Sequence, residues 1–269
     1  MTSRALAAVV CLTLICVGPV FAQARDAVLL EDLTWTELRD LIRANITTII
    51  VPVGGTEQNG PHMTLGKHNA RVKVLSEKIA RTLGGTLVAP VIAYVPEGGL
   101  SPATGHMRFP GTVTIPSETF QRVLEYAARS FKLHGFRDIV FLGDHGGTQA
   151  DQKAAAARLN REWAAAPARV HAIEEYYLAA HVEFTRLLSE RGYRKEELGL
   201  HAGLSDTSLM LAVDPRMARA GRLRPDSWPP GVSGVSGDPT RASAELGRLG
   251  VEMIVTRTAE AIRTSIARR

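Results

Sequence analysis

Two apolar runs that end in glycines, TTIIVPVGG (residues 47–55) and DIVFLGDHGG (residues 138–147), constrain this chain more than any other feature. Runs rich in β-branched and aromatic residues, with no alternation of polar side chains, are suited to strands covered on both faces. Between and after them lie segments with helical spacing of apolar residues. ARVKVLSEKIARTLGG (70–85) closes on two glycines, SETFQRVLEYAARSFKLHG (117–135) starts on a candidate N-cap at Ser117 and ends on Gly135, and a further helix is expected over 149–163. LEDLTWTELRDLI (30–42) places Thr34 three residues before Glu37, the spacing of a capping box. TLVAPVIAYV (86–95) and ARVHAIEEYY (168–177) read as two more strands, with helix again beyond Leu178. Strands alternating with helices of this length imply an α/β fold, a three-layer α/β/α sandwich around a mainly parallel sheet.

The 269 residues suffice for one sizeable core, and neither a repeat nor a linker divides them, so residues 23–269 are expected to form a single domain. The first 22 residues have the layout of a signal peptide: Arg4, an apolar run from Ala5 to Val17, then Gly18 and Pro19 ahead of Val20, Phe21 and Ala22. Export to the periplasm or medium follows, with no membrane association after cleavage. Both cysteines, Cys11 and Cys16, lie in that segment. The mature chain then has no disulfide, and a metal site must use His, Asp and Glu, which points to zinc first and to manganese or iron as alternatives. Cleavage removes only Arg4 from a net charge of +5, and the arginines are scattered without a basic block, so a nucleic-acid partner is not indicated.

In parallel α/β sheets, ligands sit beyond the carboxyl ends of the strands. The chain concentrates its chemistry there. TEQNGPHMTLGKHN (56–69) follows the first strand and carries Glu57, Asn59, His62 and His68; Asp144 and His145 follow the third; His201 and Asp206 lie in LHAGLSDTS. Convergence of these groups on one rim favours a metal or acid/base site.

These segments resemble the creatininase (creatinine amidohydrolase) family. VPVGGTEQNGPHMTLGKHN is similar to its G-x-T-E-Q-H-G-P-H-L-P-L-x-T-D signature, MRFPGTVTI to F-P-G-T-x-S-L, GDHGGTQ to N-G-H-G-G-N, and HAGLSDTSLML to H-A-G-x-x-E-T-S-L-M-L, all in the family's order; GDPTRASAELG resembles its closing motif. The resemblance implies a metal-dependent hydrolase that opens a C–N bond in a small cyclic or linear amide, assembled as a homo-oligomer, often a hexamer. It implies Glu57 and His145 as ligands, His201 as the proton-transfer residue, Asp206 in place of a family Glu as a ligand or orienting group, and His106 as a wall of the substrate pocket.

The departures bear on the metal count. Asn59 stands where the family has a histidine ligand, and His68 where it has a carboxylate that bridges two ions. An imidazole cannot bridge as a carboxylate does, so one ion is expected, held by Glu57, His68 and His145 with water as fourth ligand and His62 in reserve. Asn59 is expected either to meet substrate or to cap the Gly60–Pro61 turn. Lys67 is expected to be solvated, and the loop 224–240, with Trp228, to wall the pocket or contact a subunit. A lactone or sugar-derived ring would suit the same activated water, and a binding protein without turnover is the rival from another class.

The leader carries its own test. The exported protein should begin at or near Gln23, and an intact mass that still includes residues 1–22 would refute export with cleavage.

Overall fold

The computed structural model describes residues 27–223 and 233–268. The expected leader and most of the proline-rich stretch around Trp228 lie outside them.

Helix α1 (Trp35–Arg43) opens with the anticipated capping box: the Thr34 N–H donates to Glu37 Oε2 at 2.7 Å and the Glu37 N–H to Thr34 Oγ1 at 3.3 Å. The sheet consists of β1 (Thr48–Val53), β2 (Thr86–Val88), β3 (Asp138–Gly143) and β4 (Arg169–Ala172), all parallel, in the order β2-β1-β3-β4. β1 and β3 pair along their whole lengths, from Thr48 opposite Asp138 to Val53 opposite Gly143. The two outer strands are shorter than their apolar runs. After Val88 the chain keeps only a single bridge from Ile92 to Val53, because Pro90 lacks the N–H that a continued ladder needs.

Helices cover both faces. Ile49, Val51, Val53, Ile139 and Phe141 point to one side, against α3 (Ser117–His134) and α4 (Gln149–Glu162). Ile50, Val140 and Leu142 point to the other, against α2 (Lys67–Leu83), α8 (Leu204–Val213) and α9 (Ala244–Ala267). Between β4 and α8 run α5 (Glu175–Leu178), a π-helical turn (Ala179–Glu183), α6 (Phe184–Glu190) and α7 (Lys195–Leu198). The result is a parallel sheet sandwiched between helices, as the strand and helix pattern implied. Ser117 is not the N-cap of α3: Pro116 takes that position, its φ of −62° already set for helix entry, and no side chain caps the turn.

β1 and β3 are the central strands, and the connections leaving them pass to opposite sides of the sheet. The crevice between their carboxyl ends is therefore the topological switch point. The first turn of α2 and the first turn of α8 both end at this crevice.

The second layer depends on close approach of α9 to α8. A Cβ added to Gly247 would stand 1.8 Å from the Ser208 carbonyl oxygen. Helix propensity alone favours Gly247→Ala by about 1 kcal/mol, but overpacking costs about 1–3 kcal/mol or more. The substitution should lower stability, read as a lower urea midpoint; a raised midpoint would show that the helices can part freely.

Candidate metal centre

Glu57 lies in the loop after β1, and its side chain is fully buried. Its two oxygens face different surroundings. Oε1 lies 2.6 Å from His68 Nε2, 3.7 Å from His201 Nδ1 and 3.8 Å from Lys67 Nζ. Oε2 has no hydrogen-bond partner and lies 3.1 Å from His106 Nε2 and 3.4 Å from His145 Nε2.

A second carboxylate, Glu97, stands beside it. Neither Glu97 oxygen has a hydrogen-bond partner; Oε2 is 3.3 Å from His145 Nε2, and the buried Nδ1 of His145 is also unpartnered. Glu57, Glu97, His106 and His145 each offer a ligand atom, and these atoms lie within 4.8 Å of one another. Burial and then the neighbouring Glu57 carboxylate push the Glu97 carboxyl up to about 9. For Glu57, burial acts in the same upward direction, but His68, His145 and Lys67 overcome it and hold the carboxyl below its usual range. Two buried carboxylates with orphaned oxygens, next to imidazoles, fit a divalent cation by donor type and by unmet coordination.

The loop 94–114 brings Glu97 and His106 to the rim. Its ends pair at Val95 and Thr114, the Glu97 N–H donates to Thr114 Oγ1, and the His106 N–H donates to the Glu97 carbonyl. The MRFPGTVTI segment braces this loop against the first one: the Val113 N–H donates to the Thr56 carbonyl, and Thr112 Oγ1 accepts from the Gln58 N–H. Gly55 is required at the crossing, since a Cβ there would lie 2.8 Å from Glu97 Oε1.

Gln58 orders the two exposed-side imidazoles. Its amide oxygen accepts from the Gly60 N–H, so its nitrogen faces His106 Nδ1 at 2.9 Å. His201 Nε2 lies 2.9 Å from the Gln58 carbonyl oxygen, which suits an N–H there and leaves the Nδ1 lone pair towards Glu57. The His106 and His201 rings are 4.6 Å apart. Burial, then Lys67, lowers the His201 imidazole to about 3, and burial also lowers His106.

Behind the site is an ion network. Lys67 is buried, not solvated: its Nζ donates to Asp206 Oδ2 at 2.8 Å. Arg71, one turn along α2, pairs with Asp206 Oδ1 at 2.5 Å and with Asp144 Oδ2 at 2.8 Å. Asp144 also accepts from Tyr176 Oη. His68 has Nδ1 on Asp144 and Nε2 on Glu57, so neither nitrogen is left for an ion. The ligand place expected for His68 is instead faced by Glu97. Asp206 belongs to the network and accepts the Ala202 N–H, which fixes the start of α8. Asn59 spends its amide hydrogens on the carbonyls of Glu57 and Thr64, tying the turn, and His62 Nε2 reaches Thr207 Oγ1 on α8.

A creatininase family model, described as creatinine amidohydrolase, matches residues 31–262. The chain belongs to the creatininase family. It is 28% identical to the mycofactocin precursor peptide peptidase of Mycolicibacterium smegmatis, over 79% of this chain and 83% of the relative. It is 25% identical to the creatinine amidohydrolase of Pseudomonas putida, over 88% and 96%. A solved creatininase structure with Mn superposes with a TM-score of 0.74 at 25% identity, covering 89% of this chain and 99% of that one. The family assignment makes this chain a hydrolase whose relatives include an amidohydrolase and peptidases.

Sequence reasoning missed Glu97, Gln58, Lys67 and Arg71. Glu97 lies in VPEGGLSPATGH, two residues past the strand expected over 86–95, in a segment that no motif marks. Its only signal is its place after β2, on the same edge as the other loops.

The network makes the fold acid-sensitive. Burial would raise the carboxyls of Asp144 and Asp206, but Arg71 with His68, and Lys67 with Arg71, hold them below the usual carboxylate range. Groups depressed in the folded state stabilise it in full above their unfolded value of about 3.9, and that stabilisation is lost as pH falls through the folded values. In metal-free protein, the stability gap between wild type and Asp144→Asn should be widest at neutral pH and narrow below about pH 4. Denaturant midpoints that run parallel at every pH would exclude the ion network as the cause.

Proposed function

We propose that the protein hydrolyses a C–N bond in a small cyclic or linear amide, with one divalent ion held by Glu57, Glu97 and His145. The observation that carries this is the pair of buried carboxylates with three oxygens lacking hydrogen-bond partners, set against His145 at the switch point of the sheet. Membership in the creatininase family supports the reaction class. Zinc suits a compact site of imidazole and carboxylate donors, with manganese and iron as alternatives.

A divalent ion in this place supplies an acidified water and a polarised carbonyl. The chain's own groups do the rest. His145 and His106 set the open side of the site, where the amide must enter, while the ion network closes the opposite side. His201 is held by the Gln58 carbonyl at Nε2 and turns Nδ1 to the centre, where a lone pair at 3.7 Å from Glu57 Oε1 can take a proton and return it to the leaving nitrogen. Gln58 keeps His106 and His201 in register by contacting both rings. Asp206 is a positioning residue, since it orders Lys67, Arg71 and the Ala202 backbone without reaching the open side.

The variants separate the roles. Glu97→Gln and His145→Ala should lose the ion as well as turnover of small amides, because the first removes a negative charge from the site and the second removes an imidazole donor. His201→Ala should keep the ion and lower turnover by about 10² to 10⁴. Metal analysis alongside amide hydrolysis reads both, and full activity in rigorously metal-free wild type would overturn the proposal.

A further inference from the structure

Lys67 is the least expected residue in the centre. Lysine side chains are almost never fully buried unless paired, because taking an ammonium out of water is costly before any pairing is counted. Here the Lys67 side chain is 1% exposed. It stands between two carboxylates, with Nζ 2.8 Å from Asp206 Oδ2 and 3.8 Å from Glu57 Oε1.

That position is the one a second cation shared by Glu57 and Asp206 would need. A buried carboxylate with both oxygens available can bridge two cations, and Glu57 has one oxygen on each side of itself. On the Oε2 side the surroundings are orphaned acceptors and imidazoles; on the Oε1 side they are Lys67, His68 and, behind them, Arg71. Of the other groups around Oε1, His201 Nδ1 stands 3.7 Å away and two are already spent. His68 has both nitrogens on carboxylates and Asp206 is shared by Lys67 and Arg71, while Asn59 keeps a buried Oδ1 without a hydrogen-bond partner.

We infer that the Lys67 ammonium is a built-in cation that occupies the Glu57–Asp206 side of the centre and limits it to a single exchangeable divalent ion on the Glu97–His145 side. An ammonium is compact, carries a fixed charge on a flexible stem, and can fill such a position without an ion's full set of ligands. Its charge also repels a divalent ion brought to the same oxygen.

The inference rests on Glu57, Glu97 and His145 being an ion site, and the count of ions separates the two. Mature protein is saturated with Zn²⁺ or Mn²⁺, freed of excess metal, and analysed for metal per chain, with calorimetric titration of the metal-free form. Wild type and Lys67→Arg, which keeps the cation, should hold one ion. Lys67→Met should hold two, because Glu57 and Asp206 then face each other with no cation between them. If Lys67→Met does not fold, Lys67→Gln, which keeps an N–H towards Asp206, carries the same expectation. Two ions in wild type would overturn the role of Lys67 and leave the ion site standing; none in wild type would overturn both. A folded Lys67→Met or Lys67→Gln with one ion and unchanged affinity would overturn the role of Lys67 alone.

Discussion

A carboxylate taken out of water must meet a cation or a proton, and this requirement governs the rim of the sheet. Glu57, Glu97, Asp144 and Asp206 are all buried at the carboxyl ends of β1 and β3 or in the loop and the helix start that face them. Asp144 and Asp206 are answered by Lys67 and Arg71 from the first two turns of α2. Glu97 and Glu57 Oε2 have no hydrogen-bond partner and face only the His106 and His145 imidazoles. The asymmetry divides the site into a structural half, closed by the chain's own charges, and a chemical half that calls for an ion from outside.

The sheet makes this division possible. Because β1 and β3 pair in full and are central, the loops that follow them emerge side by side, and α2 returns from the first loop with Lys67, His68 and Arg71 pointing back over the strand ends. A cation at the start of a helix is opposed by the helix dipole. Lys67 and Arg71 are nonetheless held there, since the carboxylates facing them contribute more than the roughly 0.3–1 kcal/mol the dipole takes away. Fold and site are thus coupled through α2 and α8, whose first turns share Asp206.

The layers were legible because they follow from local chemistry. Apolar runs without alternation gave central strands, and the spacing of Thr34 and Glu37 gave a capped helix that the structure contains. The outer strands were overread, since an apolar run continues past Pro90 while its ladder cannot. Within the site, Glu57, His145 and His201 were marked by their place in recognisable segments, and the structure brings all three to one crevice. Lys67 was misjudged because a lysine beside a loop is ordinarily solvated; only the arrival of Asp206 from a segment 139 residues away makes its burial tolerable.

What the sequence determined by itself is the order of strands and helices, the absence of thiolate ligands from the segment after residue 22, and the set of polar residues on strand-end loops, because each of these depends on neighbours along the chain. What only the tertiary structure decided is which of those residues stand together. Glu97 joins Glu57 through a loop laced by Thr112, Val113 and Thr114, and His68 is drawn away from the open side by Asp144. Both outcomes are set by distances of a few ångströms between segments remote in sequence, and the electrostatics of buried groups is decided at that range.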